Sequence, residues 1–153
     1  MRTPPVRWPA VIVAALLCAA GTVVANSGAA AAPPPRGPHL KIVSPGKGAK
    51  VASPVPVVVA VEEFKLVAAG TALAEGEGHL HFFIDVPASN VKPGALIPLD
   101  SLSRYVHAGK EPFDRRELTL TPGKHTITVV AANSGHLRLA NLKPVSVTFT
   151  VTP

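Results

Sequence analysis

The segment RELTLTPGKHTITVVAA, residues 116–132, decides the fold class because its side chains alternate on both sides of a turn. Leu118 and Leu120 alternate with threonines, and Pro122–Gly123 offers turn chemistry. The return segment, Thr126 to Ala132, is rich in β-branched residues. A period of two on either side of a turn predicts a pair of antiparallel strands joined as a hairpin.

The same alternation extends through most of the chain after residue 39. KPVSVTFTV, residues 143–151, places three valines and a phenylalanine on one face and Ser and Thr on the other. VPVVVAVEEF, residues 55–64, is a β-branched run, and HLKIVSP, residues 39–45, is a shorter strand. No segment of ten residues has a convincing helical period. Short strands separated by turns predict an all-β protein, an antiparallel immunoglobulin-like β-sandwich over residues 40–153.

The first 32 residues have the order of parts expected of a secretory signal peptide and leader. Arg2 and Arg7 precede an uncharged, mostly apolar run of 16 residues, Ala10 to Ala25, and small residues follow it. That order predicts cleavage and a secreted or periplasmic product. If cleavage fails, the same run is the membrane anchor, and this is the one membrane contact that we expect.

Residues 33–39 are rich in proline and predict a disordered tether between the leader and the sandwich, because they hold too little apolar surface to fold. Cys18 is the only cysteine, and it lies inside the apolar run. A cleaved chain therefore has no cysteine, which excludes disulfides and thiolate metal sites.

Composition also argues against two functional classes. Without Arg2 and Arg7, 13 basic residues face 9 acidic ones, and they are scattered, so we expect no nucleic-acid partner. The chain contains no Gly-x-Ser-x-Gly elbow, and no cysteine nucleophile remains after cleavage. We therefore expect a protein that is not an enzyme.

Two histidines stand two residues apart in HLHFFIDV, residues 79–86. Alternate side chains of a strand share a face, so His79, His81, Phe83 and Asp85 lie together, opposite Leu80, Phe82, Ile84 and Val86. Neighbouring imidazoles can converge on one ion, with Asp85 as a third ligand or as an acceptor that orients a ring. Because no thiolate is available, copper or zinc is the expected metal.

A plainer interpretation is that the two histidines lie on the solvated face of an antiparallel sheet, where polar residues need no function. Phe83 argues against it, since an apolar side chain on that face indicates a partly covered surface. His107, expected on a loop, and His136, after the return strand, are further candidate ligands. His125 begins the return strand in phase with apolar residues and is expected to pack against the core.

Two longer segments carry a resemblance to a known family. They are SPGKGAKVASPVPVVVAVEEFKLVAAGTALAEGEGHLHFFID, residues 44–85, and LTLTPGKHTITVVAANSGH, residues 118–136. Over about residues 40 to 151 they resemble the DUF4399 family of secreted bacterial proteins. Its pattern includes a Gly-His-His-His-Leu-Leu-Ile-Asp signature and a Pro-Gly-x-His-Thr-Leu hairpin. The resemblance implies a small secreted or periplasmic β-sandwich without assigning a function. The positions that match are Gly78, His79, His81, Asp85, His107, Gly109, Gly123, His125 and His136.

The chain departs from that family pattern at three places. Leu80 replaces the middle histidine of the signature, and Glu111–Phe113 replaces a Gly-Gln-Thr. A second histidine expected after His136 is absent near Arg138. These losses weaken a larger shared site but leave the His79 and His81 pair whole.

Two functions follow as hypotheses. The first is a non-enzymatic metal-binding module that uses His79 and His81, supplemented by Asp85, His107 or His136. The alternative is a structural or interaction domain of the cell envelope that binds protein or glycan and holds no metal, because sandwich loops commonly serve recognition.

Overall fold

The computed structural model describes residues 37–99 and 103–153, which contain nine β-strands and one short 3₁₀ helix, Ala88–Asn90. The predicted signal peptide and most of the tether lie outside the described residues. The first strand begins at His39, as the segment HLKIVSP predicted. The strands are β1 His39–Ser44, β2 Lys50–Val51, β3 Val55–Glu62, β4 Lys65–Leu66, β5 Glu77–Ile84, β6 Tyr105–His107, β7 Arg115–Leu118, β8 Gly123–Ala132 and β9 Val145–Val151.

The strands form two sheets. One sheet has three strands in the order β1-β3-β7, and the other has the order β2-β9-β8-β5-β4, with β6 also paired to β5. The main pairings are antiparallel, whereas the two-residue strands β2 and β4 pair in parallel with β9 and β5. Strands β1, β3 and β7 occupy the places of the first, second and fifth strands of an immunoglobulin-like sandwich, facing a sheet built on β5, β8 and β9. The predicted all-β, immunoglobulin-like fold is confirmed.

The predicted hairpin of residues 116–132 is wrong in its pairing, although both of its strands exist. Leu118 pairs with Val55 of β3 in the small sheet, while β8 pairs with β5 and β9 in the large one. The turn at Pro122 and Gly123 therefore carries the chain from one sheet to the other. Leu120 lies between the strands and is buried, so its side chain is used in closing the core rather than in a strand pair.

The main core lies between the sheets and explains the alternating pattern. Buried residues of β3 and β7 face the inner residues of the large sheet, and every second residue is turned away. Burying one large apolar side chain contributes about 1.5–3 kcal/mol. The central members are Val55, Val57, Val59, Leu80, Phe82, Leu118, Ile127, Val129, Phe149 and Val151.

A second, smaller core covers the other face of the large sheet. Phe83 of β5 packs there with Val130 of β8, beneath Val86, Val91 and Ile97. The segment that follows β5 thus folds back over the face on which His79 and His81 lie. His79 and His81, on that same face, are also fully buried.

Among the described residues, no helix is long and apolar enough to cross a membrane.

Candidate functional site

His79 and His81 lie in the middle of the large sheet and are both 0% exposed. In the β5–β8 ladder they stand opposite Ala132 and Val130 of β8, and their rings share one face, as the alternation predicted. The interpretation of a solvated face is therefore wrong for these two residues. The second core and the loops around it cover this face.

His107 lies in β6, whereas the sequence predicted that it would lie on a loop. β6 is only three residues long, and it pairs with β5 so that His107 stands directly opposite His81. Gly109 follows two residues later, where a Cβ atom would lie 2.6 Å from Cδ2 and 2.8 Å from Nε2 of His107. Only glycine at position 109 therefore leaves enough room for the His107 ring in its observed position.

His136 is delivered by a tight loop after β8. Its φ of 64° is in the left-handed region, which non-glycine residues seldom adopt. Asn133 holds this conformation, because its Oδ1 atom accepts hydrogen bonds from the amides of Gly135 and Leu137, both at 3.0 Å. The backbone of His136 is fixed at both ends, by its amide to the Asn133 carbonyl and by its carbonyl to the Ile97 amide.

A bridging loop, residues 67–71, ties the segments that carry these histidines. The Val67 amide donates to the carbonyl of Gly78, next to His79, at 2.7 Å. The Ala69 amide donates to Gly109 at 3.3 Å, and the Gly70 amide donates to Ser134 at 3.0 Å. Three separate segments around the site are thus linked by one short stretch of backbone.

The four imidazoles of His79, His81, His107 and His136 form one histidine cluster. Their six ring-centroid separations range from 4.7 to 6.1 Å. The Nε2 atoms of His79 and His81 are 3.0 Å apart and form a hydrogen bond, in which one neutral imidazole donates to the other. Ligand nitrogens of these two residues and of His136 all lie within 4.8 Å of one another.

Several nitrogens of the cluster are buried without a hydrogen-bond partner in the part of the chain that the structure describes. They are Nδ1 of His79, Nδ1 of His81 and Nε2 of His136. A buried polar atom without a partner costs about 1–3 kcal/mol. These nitrogens therefore lower the stability of the folded protein, and a functional role accounts for the cluster better than a structural role does.

Burial lowers the pKa of three of these imidazoles, those of His79, His81 and His136, and so favours their neutral form. It lowers the pKa of His79 to about 4, with His136 and His107 adding repulsion. Burial likewise lowers the pKa of His81 to about 2, with repulsion from His79, His136 and His107. The pKa of His136 is lowered by burial and by His107. Neutral imidazole is the form that binds a metal, so the ligand atoms are ready at neutral pH.

The structure places Asp85 away from the cluster, at the opposite end of β5. Its φ of 55° ends the strand, and its Oδ1 atom accepts a hydrogen bond from the Thr126 amide at 2.7 Å. Its Oδ2 atom lies 2.8 Å from Nδ1 of His125, whose Nε2 atom is 2.8 Å from the Thr121 carbonyl oxygen. The predicted role as a metal ligand or as an acceptor for a cluster ring does not fit this position.

His125 is half-buried at the start of β8, and its ring is held by Asp85 and by Thr121. Burial acts to lower its pKa, but the hydrogen bonds with the Asp85 carboxylate and the Thr121 carbonyl outweigh burial and raise the pKa above its ordinary value. This pair joins the end of β5 to the start of β8 and is structural.

Replacing Asp85 with alanine is expected to lower the free energy of unfolding by about 1–3 kcal/mol, through two lost hydrogen bonds and a strained positive φ. Metal affinity should not change, because the cluster is at the other end of β5. Asp85→Asn is the matched control, since asparagine tolerates positive φ and retains an acceptor, and it should lose less. Urea unfolding and zinc titration of both variants check this, and a fall in affinity would restore Asp85 as a ligand.

Two arginines support the site and were missed by sequence reasoning. The Arg116 guanidinium holds the connection between β6 and β7 in place. It donates hydrogen bonds to the carbonyls of His107, Lys110, Pro112 and Arg115. Arg138 donates to the carbonyls of Ala88 and Val91 and fixes the segment that covers the second core. Nothing in the local sequence distinguishes such arginines from solvated ones, because their acceptors are distant backbone atoms.

Fold and site together define an immunoglobulin-like β-sandwich with a four-histidine cluster on the outer face of its larger sheet, in which His79 and His81 are buried and His107 and His136 are partly buried. The chain belongs to the DUF4399 family, described as a domain of unknown function, whose model matches residues 57–152. The predicted family is thereby confirmed.

Among solved structures, the chain is similar to the fibronectin(III)-like modules of Clostridium thermocellum CbhA, with 14% sequence identity and a TM-score of 0.42. That similarity covers 74% of this chain and 96% of the module. No curated protein matches the chain significantly.

Proposed function

We propose that this protein is a non-enzymatic module of the cell envelope or the secreted fraction that binds a transition metal, copper or zinc, through His79, His81 and His136. The observation that carries the proposal is the 3.0 Å separation of two buried Nε2 atoms, with a ligand nitrogen of His136 within 4.8 Å. Two nitrogens bound to one tetrahedral zinc ion at about 2.0–2.1 Å lie about 3.3–3.4 Å apart, a few tenths of an ångström more than the 3.0 Å observed. The pair is thus already close to ligand spacing.

The electrostatics of the cluster support the same proposal. Imidazoles packed this closely repel one another when protonated, and the lowered pKa values of His79, His81 and His136 hold these three neutral. A cation bound by the neutral Nε2 lone pairs of His79 and His81 takes the place of the protons whose charges would repel one another. Asp85 lies elsewhere, so the ligand set is neutral nitrogen, which suits zinc and copper better than calcium or magnesium.

The place of action rests on the sequence. The positively charged start, the apolar run and the small residues that follow favour export, as expected of a signal peptide. Imidazole sites do not depend on the redox state of a thiol, which suits a protein outside the cytoplasm. We do not assign a reaction, because the sequence offers no recognisable nucleophile elbow.

Calorimetric titration of the tag-free protein with zinc and with copper(II) tests the proposal. We expect stoichiometric binding at micromolar protein, lost in the variant His79→Ala, His81→Ala, because two of the three ligands are gone. His39→Ala is the matched control: His39 lies at the other sheet, beside Glu62, and its replacement should leave binding unchanged. Absence of binding in the unaltered protein would end the metal hypothesis.

One observation favours the alternative of an envelope interaction domain. Leu96 and Leu137 are 61% and 41% exposed, and they are paired in a short antiparallel bridge. Exposed leucines held rigidly together are typical of contact surfaces. Crosslinked partners that persist after replacement of both His79 and His81 would support this function over metal binding.

A further inference from the structure

We infer that His107 completes a closed, tetrahedral four-imidazole shell, so that the site selects an ion with tetrahedral preference such as zinc and leaves no position for water or substrate. This inference rests on the proposed function and specifies its ligand. The ligand nitrogens of His79, His81 and His136 lie within 4.8 Å of one another, and the inference adds His107, the fourth member of the cluster.

The ring positions carry the inference. With a metal–nitrogen distance of about 2.0–2.1 Å, imidazole centroids lie roughly 3.2 Å from the ion, and tetrahedral ligands place them about 5.2 Å apart. The centroids of His107 lie 6.1, 5.7 and 5.5 Å from those of His79, His81 and His136. The other three separations are 4.9, 4.7 and 5.5 Å. All six lie within about 1 Å of the tetrahedral value.

A square-planar arrangement fits less well. It requires two separate trans pairs about 6.4 Å apart and four cis pairs about 4.5 Å apart. His79 and His107, at 6.1 Å, suit one trans pair, but the remaining pair, His81 and His136, is only 5.5 Å apart. His107 is also about 1 Å too far from both of its cis neighbours. Copper(II), which prefers tetragonal geometry, is therefore disfavoured relative to zinc.

The backbone around His107 is built to hold the ring there. Its carbonyl accepts a hydrogen bond from Arg116 at 3.2 Å, and β6 pairing sets it opposite His81. Gly109 leaves the ring its place, and the bridging loop is bonded to Gly109. A residue on a three-residue strand needs such support to keep one orientation.

Cobalt(II) in place of zinc tests the inference in the tag-free protein. A closed tetrahedral shell gives an intense visible spectrum that does not change with pH or on addition of azide. In His107→Ala a water takes the open position and titrates near neutral pH, so the spectrum should become pH-dependent and respond to azide. Zinc affinity should fall by at least the roughly 10- to 100-fold that loss of an outer-shell partner costs.

Gly109→Ala retains all four imidazoles but adds the Cβ atom that meets the His107 ring, and it should reproduce the azide response of His107→Ala. If the unaltered protein already responds to azide, or if His107→Ala keeps its spectrum, His107 is not a ligand and the inference is overturned. The proposed function survives that result, because cobalt is still bound. It fails separately, if the unaltered protein binds neither cobalt nor zinc.

Discussion

Replacing Gly78 with alanine is expected to lower the free energy of unfolding by about 4 kcal/mol or more, a larger loss than most single substitutions cause. The added Cβ atom would lie 2.0 Å from the carbonyl oxygen of Ala132 and 3.0 Å from Cζ of Phe64. The nearest obstacle is backbone, so no side-chain rotation relieves it. The two strands β5 and β8 must separate where the histidine cluster begins.

The measurement is guanidinium unfolding of Gly78→Ala beside Gly46→Ala. Gly46 has open space within 4 Å of its added Cβ atom, and its change should stay within about 0.5 kcal/mol of the unaltered protein. Because small domains are stable by about 5–15 kcal/mol, a loss of about 4 kcal/mol removes between about a quarter and most of that stability and should move the unfolding midpoint to much lower guanidinium concentration. A loss below about 1 kcal/mol would show that β5 and β8 are not packed as described.

Acid is expected to destabilise the metal-free protein by about 4 kcal/mol between pH 7 and pH 5 through the histidine cluster alone. The pKa values of His79 and His81 are about 4 and about 2 in the folded protein, against 6.5 when unfolded. Between those limits the unfolded chain binds more protons, so the free energy of unfolding falls as pH falls. At pH 5 each histidine accounts for roughly 2 kcal/mol, since one pKa unit corresponds to about 1.36 kcal/mol.

Urea unfolding at pH 7 and at pH 5 measures this loss. The variant His79→Gln, His81→Gln lacks the titrating groups and should lose much less over the same interval, which separates the cluster from the carboxylates. Bound zinc should protect the unaltered protein, because the metal stabilises the folded state and competes with protons for the same nitrogens. Equal losses in the two proteins would contradict the neutrality of the cluster.

The sequence predicted strands better than it predicted their partners. Alternation along β9 reflects burial on one side of that strand, whereas the alternation in residues 79–86 separates two faces of β5 that are both buried. Alternation does not record which strand lies alongside, so the segments around Pro122 resembled a hairpin although they belong to different sheets. A turn between sheets and a turn within one sheet have the same local chemistry.

The sequence predicted a site built on His79 and His81, with Asp85, His107 and His136 as further candidates, and the structure brings His107 and His136 to the pair but not Asp85. His79 and His81 share a face by the geometry of any strand, which the spacing alone reveals. His107 and His136 join them because of a three-residue strand and a left-handed loop residue, and neither leaves a periodic signal. Asp85 was misplaced because a shared face does not imply contact: four residues of strand span about 13 Å, so Asp85 meets His125 and Thr126 instead of the cluster.

Hydrogen exchange at the backbone amides of the bridging loop should report whether a metal occupies the histidine cluster. The amides of Val67, Ala69 and Gly70 each donate to a different segment around the cluster, so their hydrogens exchange with solvent only when those contacts open. A metal that joins the segments should slow exchange at these amides together. The small sheet of β1, β3 and β7, which contributes no ligand, should keep its exchange rates, so deuterium uptake would map occupancy onto one face of the sandwich.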